Sequence, residues 1–294
     1  MFHVEHRGEA RYTADGSMAR IFAITNQKGG VGKTTTAINL AASLAAAEVP
    51  TLLVDCDPQC NASSGLGFSP DEERPGLYQG LRREAAAEEL LLATAMEGLA
   101  LLPASRDLVG LNLELVQEPE REFRLRQLLE PVRERFGFVI LDCPPALDLL
   151  NLNALVAADS LIVPMQCEYF ALEGVAQLVK TVQAVQSVWN PALEIEGVLF
   201  TQFDERTNLS KQVADNLRQY FGDRVFRTAI PRAVRLAEAP SHGLPALLYD
   251  LKSRGTEAYL QLAHEVIERE RTRQPSLAPD PAAAAASGAG SGNP

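Results

Sequence analysis

The chain has 294 residues, 46% apolar and 22% charged, with a formal net charge of −11. That length fits one large α/β domain with a sizeable core, and the apolar share is that of an ordinary soluble globular protein. No uninterrupted apolar run of about 18 residues exists to cross a bilayer, no secretory signal opens the chain, and so acidic a protein does not coat nucleic acid with its whole surface.

Residues 1–17 are polar and irregular and read as a flexible extension, with Met18 standing as an alternative start directly before the apolar run Ile21-Phe22-Ala23-Ile24. A strand over 21–25 leads into an Ala-rich helix over 33–47 and a strand over 51–55. There follow a strand over 99–102, a helix over 120–135, strands over 138–142 and 160–164, a helix over 172–188, a strand over 198–203, a helix over 209–221, a strand over 225–230 and a helix over 253–270. Several strands are apolar throughout, as strands covered on both faces are. Strand and helix in alternation predict an α/β fold, a mostly parallel, doubly wound sheet with helices on both faces, forming one domain over 18–273. The Ala/Gly/Ser/Pro segment at 274–294 has a single charge, Asp280, and too little apolar surface to order itself. Cys56, Cys60, Cys143 and Cys167 lack paired metal-site spacing and are expected to be reduced and metal-free, which fits the cytosol.

Between the first strand and the first helix lies Gln27-Lys28-Gly29-Gly30-Val31-Gly32-Lys33-Thr34-Thr35. Glycines let successive backbone N–H groups turn inward on an anion at a helix start. Lys33 is then placed to reach the β- and γ-phosphates of a nucleotide and the Thr34 hydroxyl to ligate Mg²⁺. The standard phosphate-loop pattern needs glycine at position 27, whereas this chain has Gln27 followed by an additional lysine, Lys28. Two more predicted strands end in carboxylates. Leu52-Leu53-Val54-Asp55-Cys56-Asp57-Pro58-Gln59 sets an aspartate pair at a carboxyl edge, where ligands of open α/β sheets sit, and a carboxylate there can orient water or hydrated metal. Phe138-Val139-Ile140-Leu141-Asp142-Cys143-Pro144-Pro145 ends in one acid, as a Walker B strand does.

These three segments resemble the deviant Walker A group of P-loop ATPases, the ParA/MinD family, over about residues 19–270. The resemblance implies ATP and Mg²⁺ as cofactors, with Lys28, Gly29, Gly30, Val31, Gly32, Lys33, Thr34 and Thr35 around the phosphates. It implies that Lys28 acts across a dimer interface on the partner's nucleotide, that Asp57 is the hydrolytic residue, and that Thr34, Asp57 and Asp142 serve the metal. The blocks from Thr201 to Thr207, Ala229 to Arg232 and Glu238 to Gly243 are similar to chromosomal ParA/Soj proteins, and by that likeness the segment at Pro231 contacts adenine.

Seven basic residues lie between Thr201 and Pro240 against five acidic ones, a local positive balance on an acidic chain that suits contact with DNA phosphates rather than bases. By resemblance, Arg206 and Arg235 belong to that surface. The implied function is a cytoplasmic, nucleoid-associated ATPase of chromosome or plasmid partition, dimeric when ATP-bound, holding double-stranded DNA non-specifically in that state and released by hydrolysis that a ParB-type partner stimulates. The rival is a MinD-like membrane-cycling ATPase. It shares all three segments but ends in an amphipathic membrane helix, whereas this chain runs from the highly charged Glu268–Arg273 into a tail without a basic face, so no membrane partner is expected. A cluster-bearing reductase of the same fold needs axial cysteines that neither Cys60 nor Cys143 matches, and nothing singles out a pocket for the small acid substrate of a ligase.

Overall fold

Seven strands carry the fold: β1 (Arg20–Ile24), β2 (Thr51–Asp55), β3 (Leu92–Ala93), β4 (Leu99–Leu102), β5 (Phe138–Asp142), β6 (Ser160–Met165) and β7 (Glu194–Phe200). In the computed structural model, which describes residues 19–168 and 171–273, they form one sheet in the order β3-β4-β2-β5-β1-β6-β7. Every pairing is parallel except that of β3 with β4. β2 and β5 are buried at every residue, as their unbroken apolar runs require. One face of the sheet packs against α1 (Lys33–Ala46) and the C-terminal helix α7 (Arg254–Arg273), which meet where the Thr36 and Tyr259 hydroxyls lie 3.1 Å apart. The other face is covered by α3 (Leu149–Ala157), α4 (Ala171–Val188) and α5 (Asn208–Phe221). The doubly wound parallel sheet is therefore the observed architecture, while the expected segments at 1–17 and 274–294, and Met18, lie outside the described residues.

Where the elements differ from expectation, local chemistry explains it. Residues 225–230 form no strand: Val225 makes an isolated bridge to Val198, the Phe226 and Ile230 N–H groups donate to the Val198 and Phe200 carbonyls, and Pro231, just beyond, makes a second isolated bridge to Phe203. The N–H groups of Arg227 and Thr228 donate to the buried Glu265 carboxylate on α7, at 2.9 and 3.0 Å, instead of to a ladder. The helix expected over 120–135 is broken into Arg121–Phe123, α2 (Arg124–Leu129) and Glu130–Arg135, the last piece being a tighter 3₁₀ turn that contains Pro131, which has no N–H to offer. The helix expected to end at 270 runs to Arg273, and β7 begins at Glu194 rather than Val198. Two-residue β3 is too short to leave a periodicity. Helix α3 was not expected from the sequence; its one local signal is the cap Asp148, whose carboxylate accepts from the Asn151 N–H at 3.1 Å.

Candidate nucleotide site

The register of the sheet decides which side chains meet. Asp55 pairs with Asp142 across β2 and β5, and Ile24 pairs with Asp142 across β1 and β5. Just beyond, the Cys56 N–H donates to the Asp142 carbonyl at 3.0 Å and the Cys143 N–H to the Ile24 carbonyl at 3.3 Å. The phosphate loop and both acidic segments thus leave the sheet side by side at its carboxyl edge, where open α/β sheets bind ligands.

Gly30 and Gly32 have φ of 75° and 87°, in the left-handed region that a side chain would strain. Gly32 precedes α1 and no side chain caps the helix, so its first N–H groups remain available to an anion. Lys33, buried to 8% exposure, donates its ammonium to the Lys28 carbonyl at 3.1 Å, which curls the loop around it. Burial draws the Lys33 ammonium below the ordinary lysine range, against the pull of Asp142, Cys143 and Asp57. The loop is also tied from outside: the Thr201 hydroxyl donates to the Val31 carbonyl at 2.8 Å, and the Gln166 and Gln202 amides both donate to the Gly30 carbonyl at 3.1 Å. Lys28 alone among these loop residues offers an exposed charge, and that charge is paired with Glu168 at 2.5 Å.

The three aspartates have different surroundings. Asp55 is fully buried and accepts from the Ser63 N–H and hydroxyl, each at 2.7 Å, and from the Asp57 N–H at 3.2 Å. Burial pushes its carboxyl up to about 6, and those same hydrogen bonds hold it from going further. With both oxygens so engaged, Asp55 braces the loop that presents Asp57. Asp57, 8% exposed, accepts from the Gln59 N–H at 2.9 Å and lies close enough to Lys33 to act on its charge. Asp142 is fully buried, and neither of its carboxylate oxygens accepts a hydrogen bond of full geometry. Burial and neighbouring Asp55 push its carboxyl well above the usual range, opposed by the Thr34 hydroxyl and the Lys33 ammonium.

A buried carboxylate without a hydrogen-bond donor is costly unless a cation or its water shell satisfies it. Asp142 and Thr34 therefore fit Mg²⁺. Among the described residues no group of three or more His, Cys, Asp or Glu side chains is placed to hold a metal. That suits Mg²⁺, which is commonly held through one or two protein groups, waters and substrate phosphates. All four cysteines are free and buried, and burial pushes the Cys56 and Cys143 thiols well above their ordinary range, which leaves them unreactive.

The outlying residues divide. Pro231 bridges to Phe203, two residues beyond the Thr201 that ties the phosphate loop, which sets it beside the site. Arg206 and Arg235 belong to separate surface elements. Arg206, in the turn before α5, forks onto Asp204 at 2.8 and 2.7 Å, and Arg235, on α6 (Val234–Glu238), reaches Glu238 at 2.7 Å and Asp250 at 3.2 Å. Sequence reasoning missed Glu168, Ser63, Thr201 and Asn151. The last donates its amide to the Pro144 carbonyl at 2.8 Å and so fastens the Walker B exit to α3. Only Asn151 left a local trace, three residues after the Asp148 cap.

A family model described as an AAA domain matches residues 19–195. The chain is 51% identical to the chromosome partitioning protein ParA of Myxococcus xanthus over 92% of its own length and 94% of the relative's. It is 52% identical to the sporulation initiation inhibitor protein Soj of Bacillus subtilis, over 85% of this chain and 98% of that one. Among solved structures, cobyrinic acid a,c-diamide synthase of Mycobacterium smegmatis, determined with ADP and magnesium, superposes with a TM-score of 0.76 at 35% identity, covering 86% of this chain and 96% of that one. Given identity near one half along almost the full length of these partition proteins, and an intact phosphate loop with both acidic strand ends beside it, the chain belongs to the ParA/Soj family of chromosome-partitioning ATPases.

Proposed function

We propose that this ATPase is a nucleotide-gated DNA-binding switch. It binds ATP with Mg²⁺, pairs with a second copy around the nucleotide, holds double-stranded DNA without sequence preference in that state, and is released when a ParB-type protein stimulates hydrolysis, so segregating a chromosome or plasmid. Its place is the cytoplasm, at the nucleoid. The observation that carries the reading is the convergence of Lys33, Asp57 and the unpartnered Asp142 at one sheet edge, beside a loop whose outermost lysine, Lys28, lies half exposed.

Each residue then has a task. Lys33 and the N–H groups opening α1 neutralise the phosphates, and Lys28 supplies a charge to the partner's nucleotide. Thr34 and Asp142 would hold Mg²⁺, which when bound would supply positive charge to offset that of the phosphates. Asp57 orients the attacking water, Asp55 and Ser63 brace Asp57, and Asn151 ties the Pro144 segment to α3. Pro231 closes on the base. Arg206 and Arg235 face DNA, and a dimer doubles those contacts, so that affinity rises by roughly 10²-fold through effective concentration alone.

The test is a mobility-shift series with ATP, ADP and no nucleotide on two unrelated duplexes. Binding confined to the ATP state, indifferent to sequence and steeply weakened by salt, is expected. Equal binding in all three states removes the gating, and strong preference for one duplex replaces the reading with a sequence-specific regulator.

A further inference from the structure

Lys28 is held by more than its own loop. The end of β6 and the residues that follow it run along the phosphate loop and grip it at three points. The Pro164 carbonyl accepts from the Asn26 amide at 2.8 Å, the Gln166 amide donates to the Gly30 carbonyl at 3.1 Å, and Glu168 takes the Lys28 ammonium at 2.5 Å. Asn26 completes the fit by accepting from the Lys28 N–H at 3.0 Å. The end of β6 and the turn that follows it, in which the Glu168 N–H donates to the Gln166 carbonyl at 2.9 Å, bring all three contacts to one loop. Two of them fasten buried or backbone groups. The third joins two side chains that are each about half exposed, 50% for Lys28 and 56% for Glu168, and so can exchange partners without disturbing the rest.

We propose that Glu168 is a positioning residue that keeps Lys28 within its own subunit, so that dimerisation on ATP exchanges the Glu168 carboxylate for the partner's phosphates. The inference rests on the reading that Lys28 acts across the dimer. A triphosphate offers the ammonium more negative charge and more acceptors than one carboxylate, so exchange runs forward when the partner carries ATP and back once the γ-phosphate is lost. An exposed ion pair is weak, which makes Glu168 a bias rather than a lock, worth up to about fivefold per subunit.

The experiment uses the full chain with Mg²⁺ and the non-hydrolysable analogue AMPPNP, and measures by sedimentation the protein concentration at half dimerisation for the parent, Glu168→Gln, Glu168→Asp and Lys28→Ala. Glu168→Gln is expected to dimerise at roughly 5- to 20-fold lower concentration at low salt, since each subunit contributes one pair. The gap should close as added salt screens the pair, and Glu168→Asp, which keeps the charge, should follow the parent. A Glu168→Gln midpoint equal to or higher than the parent's overturns the proposal. Lys28→Ala separates the two ideas. If it fails to dimerise while Glu168→Gln matches the parent, only the Glu168 role is lost. If it dimerises like the parent, the trans action of Lys28 falls and the Glu168 role with it.

Discussion

The carboxyl edge of the sheet and the arginine-bearing segment from Thr201 to Pro240 house charge in opposite ways. At the edge, Lys33, Asp55, Asp57 and Asp142 are all buried, and their charges act on one another through protein rather than water. In the segment, the Arg206 side chain is 90% exposed and Arg235 52% exposed, and each is neutralised by an acid a few residues away. A buried charge has to be matched by a fold or a ligand, so it states its purpose. An exposed and locally compensated one need not have any, because surface ion pairs contribute little.

Lys33 is where the contrast has its largest expected effect. If its burial serves a phosphate, Lys33→Ala should weaken ATP binding by roughly 10- to 100-fold or more, the loss of charge-assisted hydrogen bonds to a polyanion. Because desolvation of the ammonium outweighs the attraction of Asp142 and Asp57 for it, the same variant should melt no lower than the parent. Calorimetry and a melting curve on one preparation read both. Undiminished ATP affinity would refute the phosphate role, and a large drop in melting temperature would make Lys33 a structural residue instead.

A second test lies where the segment is anchored. Glu265, only 3% exposed, accepts from the Arg227 and Thr228 N–H groups, the Thr228 hydroxyl and Arg269. Burial alone would raise its carboxyl, but these donors outweigh burial and hold it below the ordinary value of 4.5. A depressed carboxylate contributes stability that is present above its unfolded value and is lost as pH falls through the folded one. Glu265→Gln should therefore cost about 2–3 kcal/mol at neutral pH, seen as a drop of roughly 5–10 °C in melting temperature. The gap between variant and parent should narrow as the pH is lowered through the carboxylate range. A gap that stays constant down that range would mean that shape, not charge, holds the segment to α7.

The same contrast explains what could be read in advance. The phosphate loop, the strands ending in Asp55 and Asp142, and the parallel sheet were legible because glycine conformation, unbroken apolar runs and carboxylates at strand ends are local signals. The bracing of Asp55 by Ser63, of the phosphate loop by Thr201, and of Lys28 by Glu168 joins residues 8, 170 and 140 positions apart, and nothing local announces such pairs. The strand expected over 225–230 failed for the same reason, since the acid that takes its N–H groups sits 38 residues downstream of Arg227. The positive balance of the arginine segment was a correct count. It did not disclose that Arg206 and Arg235 are already engaged.

That engagement yields the smallest and most discriminating expectation. The Arg206 guanidinium forks onto Asp204, and the Arg206 N–H also donates to the same carboxylate at 3.0 Å, an arrangement that holds the Asp204 carboxyl well below its usual range. If Arg206 meets DNA as proposed, a phosphate approaching it must compete with this pair, and the arginine's net contribution would be smaller than its exposure suggests. Asp204→Asn removes the competing charge while an amide oxygen can still accept from the Arg206 N–H, which keeps the turn before α5 in place. The variant should therefore bind DNA in the ATP state more tightly by up to about fivefold per subunit, the scale of an exposed pair. Its salt dependence should steepen by about one ion released for each new phosphate contact. Arg206→Ala, losing an arginine that was already half spent on Asp204, should weaken binding by a similarly modest factor. Titrations of one duplex at several salt concentrations supply both affinity and slope. If Asp204→Asn moves neither, Arg206 does not face the DNA, and the contact surface must be sought around Arg235 on α6.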